Sequence, residues 1–389
     1  MKYLRGYLVA AIFGAITWVL MQFGEQFSNL VDMVYPYVIR TLQGILSQWS
    51  GGVDFLIWQL LAVVLVVMIL ATLVLVIVFK RSIIGWGGWV LSALALIYML
   101  HTMVYGLNYY SGSLADDIRM EVAQYTLEEL ADATTYYRDR ANILAELVDR
   151  DENGNVSFAD FDTLALQAGD GFDKLTYDRS FSVFAGSKEP VKKLGLADMY
   201  TSMGITGYTF GLTGEAAVNP NIPDVALPFT MAHEMAHRMC IAPERDANFA
   251  AYLACSVHPS VEFEYSAQFM AYRYCYNALA QISTQSSAKA TSEISEGVSD
   301  LLQRDLAYYN TFFATKQTKA ATNFANTVND NYLKTSGDKA GIASYGQVCD
   351  LLVNWHIQEI VLPSITVQEK LFDPYDESQV DLSGIVNAR

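Results

Sequence analysis

The sequence predicts a multi-pass membrane protein of mainly α (α+β) class: three N-terminal transmembrane helices, then an outward-facing helical domain with a small β-sheet. Three observations carry this. Long uncharged stretches fill the first 110 residues, helix-like spacing of apolar positions dominates beyond them, and β-type patterning is confined to a short Gly-punctuated region around Phe210.

The uncharged stretches run from Gly6 to Phe23, from Phe55 to Phe79 and from Ser82 to Tyr110. A helix needs about 20 residues to cross a hydrocarbon core of about 30 Å, so spans are expected at about 6–23, 55–79 and 83–106. Lys2 and Arg5 make the first stretch resemble a signal peptide, but no small-x-small cleavage site leads into a soluble domain, so it reads as an uncleaved span. Lys2, Arg5, Lys80 and Arg81 flank the spans on one side, whereas the loop from Gly24 to Asp54 carries only Arg40 against Glu25, Asp32 and Asp54. The positive-inside rule puts the basic clusters in the cytoplasm, and three crossings send everything after Tyr110 outside. The chain thus divides into a membrane domain, 1–110, and an extracytoplasmic domain, 111–389, attached to the cytoplasmic membrane.

Of 25 Lys/Arg and 41 Asp/Glu, five and three respectively precede Ser111, which leaves the outer domain near −18. Nucleic acid and anionic headgroups reward Lys/Arg clusters, so this body excludes nucleic acid as a partner; the lipid bilayer is met through the spans. All four cysteines (Cys240, Cys255, Cys275, Cys349) fall on the outer side, where disulfides persist. Cys255 and Cys275 nevertheless sit in apolar helical patterns that suit buried free thiols.

The stretch from Met231 to Cys255, MAHEMAHRMCIAPERDANFAAYLAC, carries the chemistry. His233 and His237 stand four apart in a helix-compatible run, so their imidazoles share one face and converge on a single metal, with Glu234 beside the water position. Zinc held by three protein ligands keeps a fourth position for water and lowers that water's pKa toward about 7. Glu234 would be the general base that takes its proton. Two His four apart also occur on ordinary polar helix faces, but Phe229, Met231, Ala232, Met235, Ala236 and Met239 make this helix mostly buried, where a Glu between imidazoles needs a compensating partner.

Cys240-Ile241-Ala242-Pro243 breaks that helix, and a second starts at Glu244. Glu244 is the first choice for third ligand, with Asn248 on the same face to hydrogen-bond a ligating His. Asp246 is second, and Cys240 third, because a thiolate favours a closed structural site. Glu244 and Asp246 also suit plain charge compensation at a helix N-terminus.

Elsewhere, helical spacing covers Asp116 to Asp149, Asn248 to Val257, Glu264 to Ser283, Ile294 to Asn310, Asn323 to Leu333 and Tyr345 to Ile360. Ile205 to Phe210 and Ala216 to Asn219 predict a short hairpin whose edge could hold an extended peptide or protein substrate. Asp149, Asp151, Asn153, Gly154, Asn155, Val156 and Asp160 match the twelve-residue calcium loop at positions 1, 3, 5, 6, 7, 8 and 12, with Asp rather than Glu closing it; the same residues also make ordinary turns. Tyr345, beside Gly346 at a helix start, is a candidate oxyanion donor. Zn²⁺ is the expected cofactor, with Ca²⁺ as a second candidate ion.

With these residues in hand, the chain resembles a bacterial family known as a domain of unknown function, whose members carry N-terminal membrane helices and a zincin-like HExxH domain. The resemblance covers most of the chain. It rests on Thr213-Gly214-Glu215-Ala216, Leu227-Pro228-Phe229 leading into His233-Glu234-Met235-Ala236-His237, Glu244 through Asn248-Phe249, Asn329-Asp330 with Tyr332-Leu333-Lys334, and Ser344-Tyr345-Gly346 with Asp350-Leu351-Leu352. It implies a zinc-dependent membrane peptidase. The Glu244-to-Asn248 step is also similar to gluzincin peptidases, which place an Asp where Asn248 stands. The expected function is therefore a membrane-anchored zinc metalloendopeptidase acting outside the cytoplasmic membrane. The alternative is a non-catalytic, metal-stabilised receptor or scaffold, which would have four protein ligands and no water.

Overall fold

The computed structural model describes residues 2–179 and 181–363. Its N-terminal part is built on α1 (Arg5–Gln22), α2 (Arg40–Gly51), α3 (Ile57–Val78) and α4 (Ile83–Val104); among the described residues, α1, α3 and α4 are long and apolar enough to cross a membrane. These three apolar helices point to membrane association. In the α1–α4 pair the Ser92 hydroxyl donates to the Gly6 carbonyl at 2.6 Å, so this polar side chain has a partner without water. No residue of α3 is buried, as expected of an all-apolar helix solvated by lipid.

The stretch between α1 and α3 is not a loop. Residues Ser28–Val34 are helical, a π turn at Tyr35–Ile39 accommodates Pro36, and α2 follows. Its buried face is polar: Gln43, Ser47 and Ser50 face the protein, and Gln43 Nε2 donates to the Gly211 carbonyl at 2.8 Å. The apolar Ile45 and Trp49 are exposed.

Beyond residue 110 the principal elements are α5 (Leu127–Ala145), β1 (Lys192–Lys193), β2 (Gly207–Phe210), β3 (Glu215–Val218), α6 (Leu227–Arg238), α7 (Glu244–Ser256), α8 (Val261–Gln281), α9 (Gln285–Glu296), α10 (Asp300–Lys316), α11 (Lys319–Ser336) and α12 (Val348–His356). The helix expected over 116–149 starts late, because Thr126 and Glu129 form a capping box: Thr126 Oγ1 accepts from the Glu129 N–H and Glu129 Oε2 from the Thr126 N–H. The helix expected over 294–310 is cut in two at Gly297 to Ser299, where Ser299 caps α10 through the Leu302 N–H. The aromatic core around α5, α7 and α8 includes the fully buried Tyr137, Phe249, Phe263 and Phe269. All four cysteines are free thiols, three of them buried.

The predicted hairpin is present and belongs to a three-stranded sheet of order β1-β3-β2. β2 runs antiparallel to β3 with Tyr208 opposite Ala217, and β1 runs parallel to β3. The turn between β2 and β3 needs glycine: Gly214 has φ +66°, and a side chain there would lie 2.7 Å from the Ser47 nitrogen of α2. Glu215, buried at the start of β3, accepts from the Ile57 and Trp58 N–H groups at 2.8 and 2.9 Å and pairs with Lys192 at 2.8 Å. It thereby caps the first turn of α3, locking the sheet to the end of a span.

Candidate metal centre

Helix α6 is buried along its whole length, with Pro228 in its first turn. Its end is closed by a Schellman motif: the Ile241 N–H bonds the Ala236 carbonyl at 3.1 Å and the Cys240 N–H bonds the His237 carbonyl at 3.0 Å. Cys240, not glycine, takes the left-handed position, φ +70°. The reversal brings the Ile241 carbonyl 2.9 Å from His237 Nδ1, which assigns a ring proton to that nitrogen and turns Nε2, the atom available to a metal, toward α7. Arg40 Nε and Asn108 Nδ2 donate to the Met239 and Cys240 carbonyls, so the membrane-proximal segments hold this corner.

Pro243 starts α7 directly after the corner, and Glu244 lands opposite the two imidazoles. Glu244 Oε2 lies 3.2 Å from His233 Nε2 and 3.4 Å from His237 Nε2. Four donors about 2.0–2.1 Å from a tetrahedral zinc stand about 3.3–3.4 Å from one another, so both His–Glu244 separations match zinc ligands, and all three ligand atoms lie within 4.8 Å of one another. They form the one group of three or more His, Cys, Asp or Glu side chains among the described residues that could hold a metal ion. His233 Nδ1 and Glu244 Oε2 are buried with no hydrogen-bond partner, a cost that a bound cation would relieve at Glu244. The residues present fit zinc.

Electrostatics agree. Burial opposes charge on Glu244, but the imidazoles of His237 and His233 outweigh it and hold the carboxyl well below the usual range. Burial likewise pushes His237 down, and the Glu244 carboxylate more than offsets this, raising it to about 9. A cation taken up here competes with protons for the same atoms, so affinity falls as pH falls.

Glu234 is outside this trio and is held by β2. The Thr209 hydroxyl lies 2.7 Å from its Oε2 and 2.9 Å from its backbone carbonyl. Burial raises its carboxyl, against the pull of the two imidazoles and Thr209. Gly207 leaves room for it: a methyl group there would sit 2.7 Å from Cγ and Cδ of Glu234. Gly207→Ala is therefore expected to swing the carboxylate aside, lowering any hydrolytic rate at least about tenfold while metal content is unchanged, because a flexible side chain yields before backbone does. Rate and metal assays on the purified variant check this; an unaltered rate would contradict it.

The other sequence candidates are placed as follows. Asp246 faces away from the trio, its Oδ2 accepting from the Leu114 N–H at 2.9 Å and its Oδ1 from Arg245 at 2.9 Å. Cys240 is half-buried at the corner, and burial pushes its thiol up to about 12. Asn248 has no bond to either imidazole among the described residues: its Oδ1 is 3.4 Å from the Tyr274 hydroxyl and its Nδ2 has no partner. The side chain of Tyr345 lies outside the described residues. The tyrosine that the fold brings against the site is Tyr105, whose ring meets His237 edge-on at 6.3 Å; Tyr332 of α11 stands beyond it, its hydroxyl 3.1 Å from His101 Nε2. The Tyr332 hydroxyl is pushed up by burial, with Tyr208 and Glu244 among the neighbouring charges.

In the calcium-loop match Asp151, Asn153 and Asn155 bond to one another, but the carboxylates are engaged in turn and cap hydrogen bonds. Asp151 Oδ1 accepts from the Asn153 and Asn155 N–H groups at 2.9 and 2.8 Å, and Asp160 caps the following helix through the Asp162 and Thr163 N–H groups. Among the described residues Asp149, Asp151 and Asp160 form no metal-holding cluster. The loop is anchored instead by Arg150, whose guanidinium makes two 2.8 Å bonds to the buried Asp305. Asp305→Ala should cost about 3–5 kcal/mol by leaving that buried charge unpaired, read as a lowered unfolding midpoint of the solubilised protein. A change below about 1 kcal/mol would contradict this account.

No curated protein and no solved structure matches the chain. A family model described as "Protein of unknown function (DUF3810)" matches residues 31–353, a stretch that takes in α2 to α4, the sheet, the His233–His237–Glu244 trio and Tyr332, and the chain belongs to that family.

Proposed function

We propose that this protein is a membrane-anchored zinc metalloendopeptidase of zincin-like fold that hydrolyses peptide bonds outside the cytoplasmic membrane. The observation that carries the reading is the convergence of two Nε2 atoms and one carboxylate oxygen at 3.2 and 3.4 Å, with a further buried carboxylate next to them and free of the cluster. Zinc bound there would supply a Lewis acid for the scissile carbonyl and lower the pKa of a water. Glu234 is placed to accept a proton from the attacking water and to return it to the leaving nitrogen, as the carbonyl carbon gains the water oxygen and the C–N bond breaks. Thr209 and Gly207 keep the carboxylate in place for both transfers. His237 is oriented by the Ile241 carbonyl. The Lys80-Arg81 turn and the acidic surroundings of α2 orient the spans with the catalytic domain outside.

The test is a peptide-library digest with zinc-loaded full-length protein. Cleavage that a chelator stops, that added zinc restores and that Glu234→Gln removes supports the reading. Absence of cleavage across the library, with zinc tightly bound, would favour the metal-stabilised scaffold instead.

A further inference from the structure

The candidate substrate edge is built onto the membrane-facing ends of the spans. β2 is a terminal strand, and its outer edge pairs with no other strand among the described residues. Trp58, in the first turn of α3, packs on Tyr208 and Phe210 of β2 with ring centroids 5.6 and 5.7 Å away. His101, in the last turn of α4, stacks on Phe210 at 6.1 Å. Because α3 and α4 form a hairpin, these two ends lie on the same side of the bilayer. The strand that holds Glu234 therefore sits where both spans leave the hydrocarbon core, one aromatic layer from the lipid.

The segment before α3 supplies an independent indication. In α2, Gln43, Ser47 and Ser50 are buried against the domain while Ile45 and Trp49 are exposed; upstream of it Leu30, Met33, Tyr37 and Val38 are exposed, and Val31 and Tyr35 are buried. A helix with its polar face inward and its apolar face outward is matched to an interfacial lipid environment, and Trp and Tyr favour that depth. The segment joins the end of α1 to the start of α3, which both emerge on that side, so the bilayer surface is what covers it. Arg40 from α2 holds the metal-helix corner at the Met239 carbonyl, 3.1 Å, so this interfacial helix and the site are one unit.

Resting on the peptidase reading above, we infer that the substrates are membrane-tethered polypeptides, cut in an extended stretch within a few residues of where they leave the outer bilayer surface. Trp58 of α3 packs on β2, and Thr209 of that four-residue strand holds Glu234, so an extended segment emerging beside α3 and running along β2 is led to the site. A free peptide must find the same edge from bulk solution, whereas a tethered one is confined to the interfacial layer in which β2 lies and is thereby concentrated there.

The experiment uses full-length zinc-loaded protein in phosphatidylethanolamine/phosphatidylglycerol vesicles. One cleavable sequence from the library digest is offered free in solution, and fused to a transmembrane helix through polar spacers of about 4, 12 and 24 residues. The short-spacer substrate should be cut at least about tenfold faster than the free peptide at equal concentration, with the rate falling as the spacer lengthens. Equal rates for free and tethered forms, or a rise with spacer length, would overturn this inference and leave the peptidase reading standing. Cleavage of the free peptide but of none of the three fused forms would overturn the inference likewise, whereas a library digest that yields no cleaved sequence overturns the peptidase reading itself.

Discussion

Glu234→Gln is expected to keep zinc bound and the fold intact while peptide hydrolysis falls by at least about 10²-fold. The substitution preserves volume and the neighbourhood of Thr209 and Gly207, and it removes only the capacity to accept a proton. Glu234 lies outside the group formed by His233, His237 and Glu244, so metal content should not follow activity. Parallel metal analysis and peptide hydrolysis on the purified variant separate the two quantities. Loss of zinc together with activity would make Glu234 a ligand, and unchanged activity would remove its role as base.

Glu244→Ala should behave oppositely, with zinc and activity lost together. The Oε2 atom that faces both imidazoles would be gone, and two neutral imidazoles on one helix hold the ion far less tightly than a three-ligand site does. A decrease of at least about tenfold in zinc affinity is expected, the low end of what ligand-shell losses produce. The variant also removes the carboxylate that keeps His237 charged, so the metal-free protein should no longer hold that imidazole at about 9. Competition with a chromophoric chelator measures the affinity. Wild-type affinity in this variant would transfer the third-ligand role elsewhere, with Glu234 the buried carboxylate nearest the imidazoles and Asp246 turned away from them.

Much of this architecture is legible in the sequence because it is local. The i, i+4 spacing of His233 and His237 is fixed by the helix, and Pro243 forces a return short enough to bring Glu244 back to them. The three apolar helices and the hairpin likewise follow from run length and Gly-punctuated patterning. What was illegible is set by tertiary contact. Nothing in the run Gly207-Tyr208-Thr209 announces that it will clasp a carboxylate some 25 residues on. Tyr105 meets His237 just past the end of α4, and Tyr332 joins that end through His101 across more than 200 residues of sequence. The segment around α2 hides behind its charge pattern, which reads as a connecting loop, while its apolar residues recur at helical spacing on the face turned away from the protein. Asp149 to Asp160 shows the converse: Asp, Asn and Gly at these intervals serve turns and helix caps as readily as a calcium ion, and Asp160 is used as a cap.

A crystal structure of the zinc-loaded protein, with anomalous data across the zinc absorption edge, decides whether the centre is an open catalytic one. One ion is expected within about 2.2 Å of His233 Nε2, His237 Nε2 and a Glu244 carboxylate oxygen, with the fourth position filled by solvent. A fourth protein ligand, a Cys240 sulfur at about 2.3 Å, or an ion bound elsewhere would contradict that expectation.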